Sequence, residues 1–227
     1  MTSIDSRSRA VLRGLTTYKP GGSIEAVKRQ LKKASVTKLA SNENPLGPSP
    51  KAVAALKKAA ALLNRYPDAG CTELRLQLAK KLRVAPESVI AGNGSDELLV
   101  LALRAFVDPG DEVVVAQPTF LIYEIQARAC GAAVTVVPMK NLRYDLPAMR
   151  SAVTPHTKLV FIANPDNPTG SYVTKKELDG FLRDLPHETI VVLDEAFDAF
   201  VKREEACAHG QCQNGSRKYA FHLLNPL

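Results

Sequence analysis

The chain has little of what marks a membrane, secreted or metal-binding protein. No apolar run in its 227 residues approaches the length that spans a bilayer, and residues 1–7 lack the apolar core of a secretory signal. The four cysteines, Cys71, Cys130, Cys207 and Cys212, have no metal-ligand spacing. We therefore expect a cytoplasmic protein with no membrane partner and no metal site. Its thiols should be reduced, with Cys71 and Cys130 buried as small apolar residues.

Aromatic residues are also scarce, at 6% of the chain, and no basic stripe is interleaved with them. The formal net charge of +7 comes from the ends, because residues 1–38 hold nine Lys and Arg against Asp5 and Glu25. A solvated helix face and a terminal arm explain this distribution better than a nucleic-acid surface does. We expect no nucleic-acid partner.

Short apolar segments alternate along the chain with segments of helical periodicity. Strands are predicted at 89–91, 112–116, 133–137, 158–163 and 189–193, and helices at 50–63, 72–82, 98–107, 119–130, 145–153 and 174–182. Thr174 and Glu177 have the spacing of a capping box, which starts the last of these helices. Apolar strands that alternate with helices are typical of a mostly parallel sheet covered on both faces. The predicted fold class is therefore α/β.

Composition divides the chain into three parts. Residues 1–38 are predicted to form an amino-terminal arm and a small-domain helix, and residues 39–201 to form most of a large sheet domain. Residues 202–227 lose the alternating pattern, so we expect a divergent tail without a further helix and strand. The change at Lys202 suggests a frameshift, an alternative exon or a misjoined gene model, and a fold that is incomplete at its carboxyl end.

Gly92, Gly94 and Ser95 lie in a polar segment between a predicted strand and a predicted helix. Glycines at such a junction let the backbone approach a ligand, and the first N–H groups of the helix can bind an anion. The spacing fits neither a dinucleotide fingerprint nor a P-loop. A plain strand–helix turn capped by Ser95 explains the segment equally well.

Three further side chains follow predicted strands. Asp194 ends an apolar run, where a carboxylate is poorly solvated and favours a cationic partner. Asn167 can donate to a phenolate oxygen, and Phe120 can stack on a flat heterocycle. Each also has an ordinary structural explanation, as a helix cap, a turn residue and a core aromatic. The carboxyl ends of parallel strands meet at one edge of a sheet, so we expect these residues to converge.

These motifs together resemble a known family. Asn-Pro-Asp-Asn-Pro-Thr-Gly at 164–170, Asp-Glu-Ala-Phe at 194–197 and the segment 39–50 are similar to class-II aminotransferases of the pyridoxal-phosphate fold-type I superfamily. Arg-Tyr-Pro-Asp at 65–68 and the segment 92–97 agree with it. Within this superfamily the histidinol-phosphate aminotransferases are the most similar group, and the resemblance runs from about residue 18 to about residue 201.

The resemblance implies a pyridoxal 5'-phosphate site. Asp194 would pair with the pyridine nitrogen, Asn167 would bind the ring's 3-oxygen and Phe120 would stack on the ring. The cofactor phosphate would be held at Ser95 and Asp96, with Gly94 allowing its close approach.

The resemblance also implies a homodimer that transfers an amino group between an amino acid and a 2-oxo acid. Tyr66 would reach the phosphate of the cofactor in the partner subunit. The substrate would be bound by Tyr18, Asn42, Asn44 and Leu46. The most similar group predicts histidinol phosphate as substrate, in histidine biosynthesis.

The chain departs from the family pattern in two places. Phe197 stands where the family usually has a tyrosine that binds the ring oxygen. The family's segment with the Schiff-base lysine has no counterpart. Ser216-Arg217-Lys218 is superficially similar to it, but the residues around Lys218 and its spacing do not match. The alternatives are a threonine-phosphate-type decarboxylase, an aromatic aminotransferase, and a non-catalytic fragment that only binds the cofactor.

Overall fold

The computed structural model describes residues 4–44, 46–197 and the backbone of the strand 220–224. It contains two compact units, one formed by Met1–Thr17 with Glu73–Leu227 and the other by Tyr18–Thr72. The domain boundaries that we predict at residues 38 and 201 stay a prediction.

The larger unit is built on a five-stranded parallel sheet. Its strands are β1 (Glu112–Gln117), β2 (Ala133–Pro138), β3 (Thr157–Ala163), β4 (Ile190–Glu195) and β5 (Ala220–Leu224), in the order β2-β1-β3-β4-β5. The pairing of β3 with β4 runs from Leu159 opposite Ile190 to Ala163 opposite Asp194. Because all strands are parallel, their carboxyl ends lie at one edge of the sheet.

Helices cover both faces of this sheet, as its apolar strands predict. Helices α4 (Gly94–Phe106) and α5 (Ile122–Cys130) pack on the face that carries Val113, Leu159 and Val192. Helices α6 (Leu146–Ser151) and α7 (Lys175–Asp184) pack on the opposite face. Neighbouring residues of β3 and β4 alternate between the two cores, and nearly all are buried. The α/β class is therefore confirmed.

The unit Tyr18–Thr72 contains α1 (Ile24–Leu31) and α2 (Pro50–Ala59), and helix α3 (Thr72–Leu82) begins at its end. Ser23 caps α1 by accepting a hydrogen bond from the N–H of Ala26 at 3.2 Å. None of the described residues of this unit is buried. The described part of this unit therefore contains no buried apolar core.

Two local predictions are wrong. Residues 89–91 form no strand, because the Val89 carbonyl accepts a hydrogen bond from the Arg75 side chain at 2.9 Å, and Ile90 is exposed. Helix α4 starts at Gly94, four residues earlier than predicted. Glu97 stabilises this early start, since its carboxylate accepts a hydrogen bond from the N–H of Asn93 at 2.6 Å.

The tail also differs from its prediction. Residues 220–224 form a strand parallel to β4, with Ala220 opposite Val191, although we expect none between 202 and 227. Their composition, Ala-Phe-His-Leu-Leu, suits a strand, but the polar stretch before them hides this signal.

Cys71 and Cys130 are free thiols that are only partly buried, so their predicted burial is wrong, and Cys207 and Cys212 lie outside the described residues. No described helix is long and apolar enough to cross a membrane.

Candidate active site

Strand β4 ends beside the loop that follows β3. Asp194 lies at this carboxyl end, and its carbonyl accepts a hydrogen bond at 2.8 Å from the N–H of Asn164, which directly follows β3. The predicted convergence of strand ends therefore holds for the loops after β3 and β4.

Asp194 is a buried carboxylate, with only 6% of its surface exposed. Its Oδ2 accepts a hydrogen bond from the Tyr123 hydroxyl at 2.7 Å, and its Oδ1 accepts one from the N–H of Ala196 at 3.0 Å. Burial raises the pKa of Asp194, the charges of Asp96 and Glu195 add to this, and the two hydrogen bonds offset only part of it. Among the described residues Asp194 forms no salt bridge, so it has neutral donors but no cation.

Tyr123 connects Asp194 to Phe120. Its ring stacks on Phe161 at a centroid distance of 5.1 Å and meets Phe120 edge to face at 5.5 Å. Burial, followed by the negative charge of Asp194, raises the pKa of Tyr123 well above its ordinary value, so its hydroxyl stays protonated and donates. Sequence reasoning missed Tyr123, although its position three residues after Phe120 was a usable signal.

The loop after β3 is held by its own hydrogen bonds. The Asn164 side chain donates to the carbonyl of Val173 at 3.0 Å and accepts from its N–H at 2.7 Å. Inside the loop, Asp166 donates its N–H to Ser171 at 2.8 Å and accepts from Gly170 at 2.9 Å. Asn167 lies within this braced loop and is half-buried. Asn167 is therefore a partly exposed residue on a hydrogen-bonded backbone.

Asp166, in the middle of the same loop, is buried and binds side chains from two other segments. It accepts hydrogen bonds from Thr119, beside Phe120, and from Tyr144, which follows β2. Asp166 lies within the motif at 164–170, but the sequence alone indicates no role for it.

The residues predicted to hold the cofactor phosphate lie at the start of α4. Gly94 has a φ of +73°, and nothing lies within 4 Å of the position where a Cβ would be. Ser95 is half-buried and Asp96 is exposed, both in the first turn. The charge of Asp96 contributes to the raised pKa of Asp194.

The remaining predicted residues lie elsewhere in the chain. Tyr18, Asn42, Asn44, Leu46 and Tyr66 all belong to the unit Tyr18–Thr72 and are exposed, and their predicted contacts with substrate or with a partner's cofactor stay a prediction. Phe197 is half-buried directly after Ala196, whereas Lys218 lies outside the described residues.

Comparison with known proteins identifies the family. The profile of the family described as aminotransferase class I and II matches residues 34–224. The chain therefore belongs to the class I and II aminotransferases.

Individual relatives point to one group within this family. A histidinol-phosphate aminotransferase of Moorella thermoacetica is 48% identical over 198 residues, which are 87% of this chain and 51% of that protein. One of Anaeromyxobacter sp. is 48% identical over 188 residues, which are 82% of this chain and 52% of that protein. The chain spans about half the length of these curated relatives.

Solved structures agree with the fold. The crystal structure of histidinol-phosphate aminotransferase from Sinorhizobium meliloti in complex with pyridoxal 5'-phosphate matches with a TM-score of 0.79 and 30% identity, over 88% of this chain and 54% of that one. A mutant of Thermus thermophilus aspartate aminotransferase matches with a TM-score of 0.78 and 25% identity, over 96% of this chain and 59% of that one.

Proposed function

We propose that this chain carries the cofactor-holding half of a pyridoxal-phosphate-dependent aminotransferase that acts on histidinol phosphate or a close analogue. The transfer would run between that amine and a 2-oxo acid such as 2-oxoglutarate. The relatives named above support the substrate class, because they are histidinol-phosphate aminotransferases at 48% identity. A homodimer and a cytoplasmic location belong to the same proposal.

The proposal depends on one observation, which is the environment of the Asp194 carboxylate. A buried carboxylate with a raised pKa and no described cationic partner is an incomplete ion pair. A protonated pyridine nitrogen, which is flat and cationic, would complete it. The chemistry of this donor set therefore fits pyridoxal phosphate.

The other residues at this edge fit the remaining parts of the same molecule. Phe120 presents a half-buried ring beside Tyr123, and Asn167 presents an amide from a fixed loop. At the start of α4, backbone N–H groups rather than the Asp96 carboxylate would bind the phosphate, since two negative charges repel. When bound, the cofactor supplies an electron-withdrawing ring. Asp194 would keep the ring nitrogen protonated, Asn167 would fix the ring oxygen and Phe120 would cover one face.

A binding measurement with pyridoxine 5'-phosphate tests the site. This probe has the ring and the phosphate but no aldehyde, so it cannot react with surface lysines. We expect the chain to bind it, and Asp194→Asn to weaken binding by about tenfold to a hundredfold, the value of a hydrogen bond to a charged group. Glu188→Gln, at an exposed carboxylate, is the matched control. Equal affinity in Asp194→Asn and the wild-type chain would contradict the assignment of Asp194.

Transamination needs a separate experiment because it requires a reactive amine. The chain is incubated with pyridoxal phosphate, histidinol phosphate and 2-oxoglutarate, and glutamate is assayed. A borohydride-treated sample is mapped by mass spectrometry. Glutamate together with one stoichiometric lysine adduct would support the full activity, whereas ring binding without either would restrict the chain to holding the cofactor.

A further inference from the structure

The buried carboxylate of Asp166 is a point where three separate segments of the larger unit meet. Its Oδ1 accepts hydrogen bonds from the hydroxyl of Thr119, in the loop after β1, and from the hydroxyl of Tyr144 at 3.1 Å. Its Oδ2 accepts from the N–H of Thr169 at 3.1 Å and from the Thr169 hydroxyl at 2.8 Å. Asp166 has 4% of its surface exposed, and its bond to Tyr144 is buried, whereas its bonds to Thr119 and Thr169 are partly buried.

The hydroxyl of Tyr144 extends this network to the sheet. It accepts a hydrogen bond at 2.9 Å from the N–H of Ala163, the last residue of β3, and lies 2.9 Å from the Thr119 hydroxyl. Burial, followed by the negative charge of Asp166, raises the pKa of Tyr144 far above its ordinary value. Tyr144 therefore remains a neutral donor that ties Asp166 to the end of the strand.

Two residues of the network are adjacent in the sequence to candidate cofactor-binding residues. Thr119 precedes Phe120, and Asp166 precedes Asn167. Each loop therefore has a residue in the network and, next to it, a residue that we assign to the cofactor ring. We propose that Asp166 is a positioning residue that locks the loop with Phe120 and the loop with Asn167 into one fixed arrangement. This inference rests on the proposed function for the roles of Phe120 and Asn167, but not for the connection between the loops.

A neutral amide at this position should preserve the connection. In Asp166→Asn, the side-chain oxygen can still accept from Thr169, while the amide group donates to the hydroxyls of Thr119 and Tyr144. Both hydroxyls can accept as well as donate, so they can reorient. Asp166→Ala removes all four bonds to this carboxylate, and with them the acceptor that Thr119, Tyr144 and Thr169 share. The two variants therefore separate the connecting role from the negative charge.

Glu112 offers a matched control at the opposite edge of the sheet. Its Oε2 accepts hydrogen bonds from the hydroxyls of Thr154 at 2.5 Å and Thr157 at 3.3 Å. Like Asp166 it is a carboxylate that connects separate segments through hydroxyl groups, but it begins β1 rather than following a strand. Glu112→Ala should reduce stability without changing the loops at the carboxyl edge.

Hydrogen–deuterium exchange followed by mass spectrometry tests the connection in the full chain. In Asp166→Ala we expect peptides covering 117–121 and 164–173 to exchange about tenfold faster or more, and in Asp166→Asn to stay near wild type. Glu112→Ala should leave both peptides unchanged. If Asp166→Ala does not fold, Thr119→Val removes the bonds from the Phe120 loop to Asp166 and Tyr144, keeps those of Thr169, and should accelerate both peptides to a smaller extent. Acceleration confined to 164–173 would overturn the proposal.

Affinity for pyridoxine 5'-phosphate gives the second readout. We expect about tenfold weaker binding in Asp166→Ala, near wild-type binding in Asp166→Asn, and no change in Glu112→Ala, because loosened supporting residues displace the groups that bind. If Asp166→Ala accelerates exchange in both peptides but the wild-type chain does not bind the probe, the proposed function is refuted and the connection between the loops stands. If the wild-type chain binds the probe but only one peptide is accelerated, the connection alone is refuted.

Discussion

Asp194 is expected to destabilise the folded chain at neutral pH when no cation is bound to it. Burial raises its pKa above the ordinary value of 3.8, so the folded chain binds this proton more tightly than the unfolded chain does. The free energy of unfolding therefore falls as pH rises from 3.8 through the raised pKa. A residue that costs stability and has no described charge partner is typical of a binding site.

Asp194→Asn should remove this cost. The amide oxygen can still accept from Ala196, and the Tyr123 hydroxyl can accept from the amide group, so the local bonds persist. We expect a higher melting temperature at pH 7 and a smaller gain at pH 4, where the folded wild-type carboxyl is more protonated. Thermal unfolding at both pH values measures this. A lower melting temperature at pH 7, or a gain that is larger in acid, would show that burial does not dominate at Asp194.

Tyr123→Phe tests the hydrogen bond that partly offsets this burial. Losing the donor should raise the pKa of Asp194 further and reduce the free energy of unfolding at pH 7 by about 1.5–3 kcal/mol, the value of a hydrogen bond to a charged group. The loss should be smaller at pH 4, since a protonated carboxyl needs this donor less. Urea unfolding at the two pH values measures both effects. Tyr66→Phe, at a fully exposed tyrosine, should change neither.

At the level of elements, helix α7 starts with the capping box that its sequence predicts. The Thr174 hydroxyl accepts from the N–H of Glu177 at 3.3 Å, and the Glu177 carboxylate accepts from the N–H of Thr174 at 2.8 Å. Hydrogen bonds from Thr174, first of all its backbone N–H, lower the pKa of Glu177. Glu177 therefore adds stability above its ordinary pKa of 4.5, and this is lost as pH falls through the lowered value.

Thr174→Ala should cost about 1 kcal/mol of stability at pH 7, because loss of the capping hydroxyl leaves the N–H of Glu177 without its acceptor. Part of this cost should disappear at pH 3, where the Glu177 carboxylate is being protonated. Urea unfolding at both pH values measures it. Lys176→Ala, in the same turn but outside the cap, should change stability little. An equal cost at pH 3 and pH 7 would mean that Glu177 does not contribute to the cap.

The elements that the sequence predicts correctly are those whose signal is local. Strands β3 and β4 are apolar on both faces, which only a covered parallel strand explains. Residues 89–91 show a similar apolar run, but the Arg75 side chain takes the Val89 carbonyl, and no local pattern reveals that. The sequence predicts too late a start for α4, because Gly92 and Gly94 favour a loop. In the structure, the hydrogen bond from the N–H of Asn93 to the Glu97 carboxylate favours a helix that starts at Gly94.

The residues of the candidate site also fall into two groups, those with a local sequence signal and those without one. Asp194 and Asn167 could be found because each directly follows a strand, and their convergence follows from the parallel sheet. Tyr123 and Asp166 act through partners that are distant in the chain: Tyr123 is 71 residues from Asp194, and Thr119 is 47 residues from Asp166. Such pairs are created by the tertiary fold, so composition and spacing could not predict them.

For the whole molecule, the two compact units differ in how they bury apolar side chains. The larger unit has two cores, one on each face of the sheet. The unit Tyr18–Thr72 has no buried side chain among its described residues and exposes several large apolar ones, namely Leu39, Leu46, Leu56, Leu63 and Tyr66. Large exposed apolar side chains favour association where they form one continuous patch. This agrees with the proposed homodimer.

Hydrogen exchange at two protein concentrations tests this association. In dilute solution we expect amides of α1 and α2 to exchange far faster than those of β3 and β4, because few buried contacts hold these helices. At high concentration, self-association should bury Leu56 and Leu63 and slow exchange in α2, while β3 and β4 stay unchanged. Leu56→Lys places a charge on the exposed apolar surface and should abolish the concentration dependence. Lys51→Ala, on the same helix, should preserve it. Slow exchange in α2 that does not depend on concentration would instead mean that this unit is stable within a single chain.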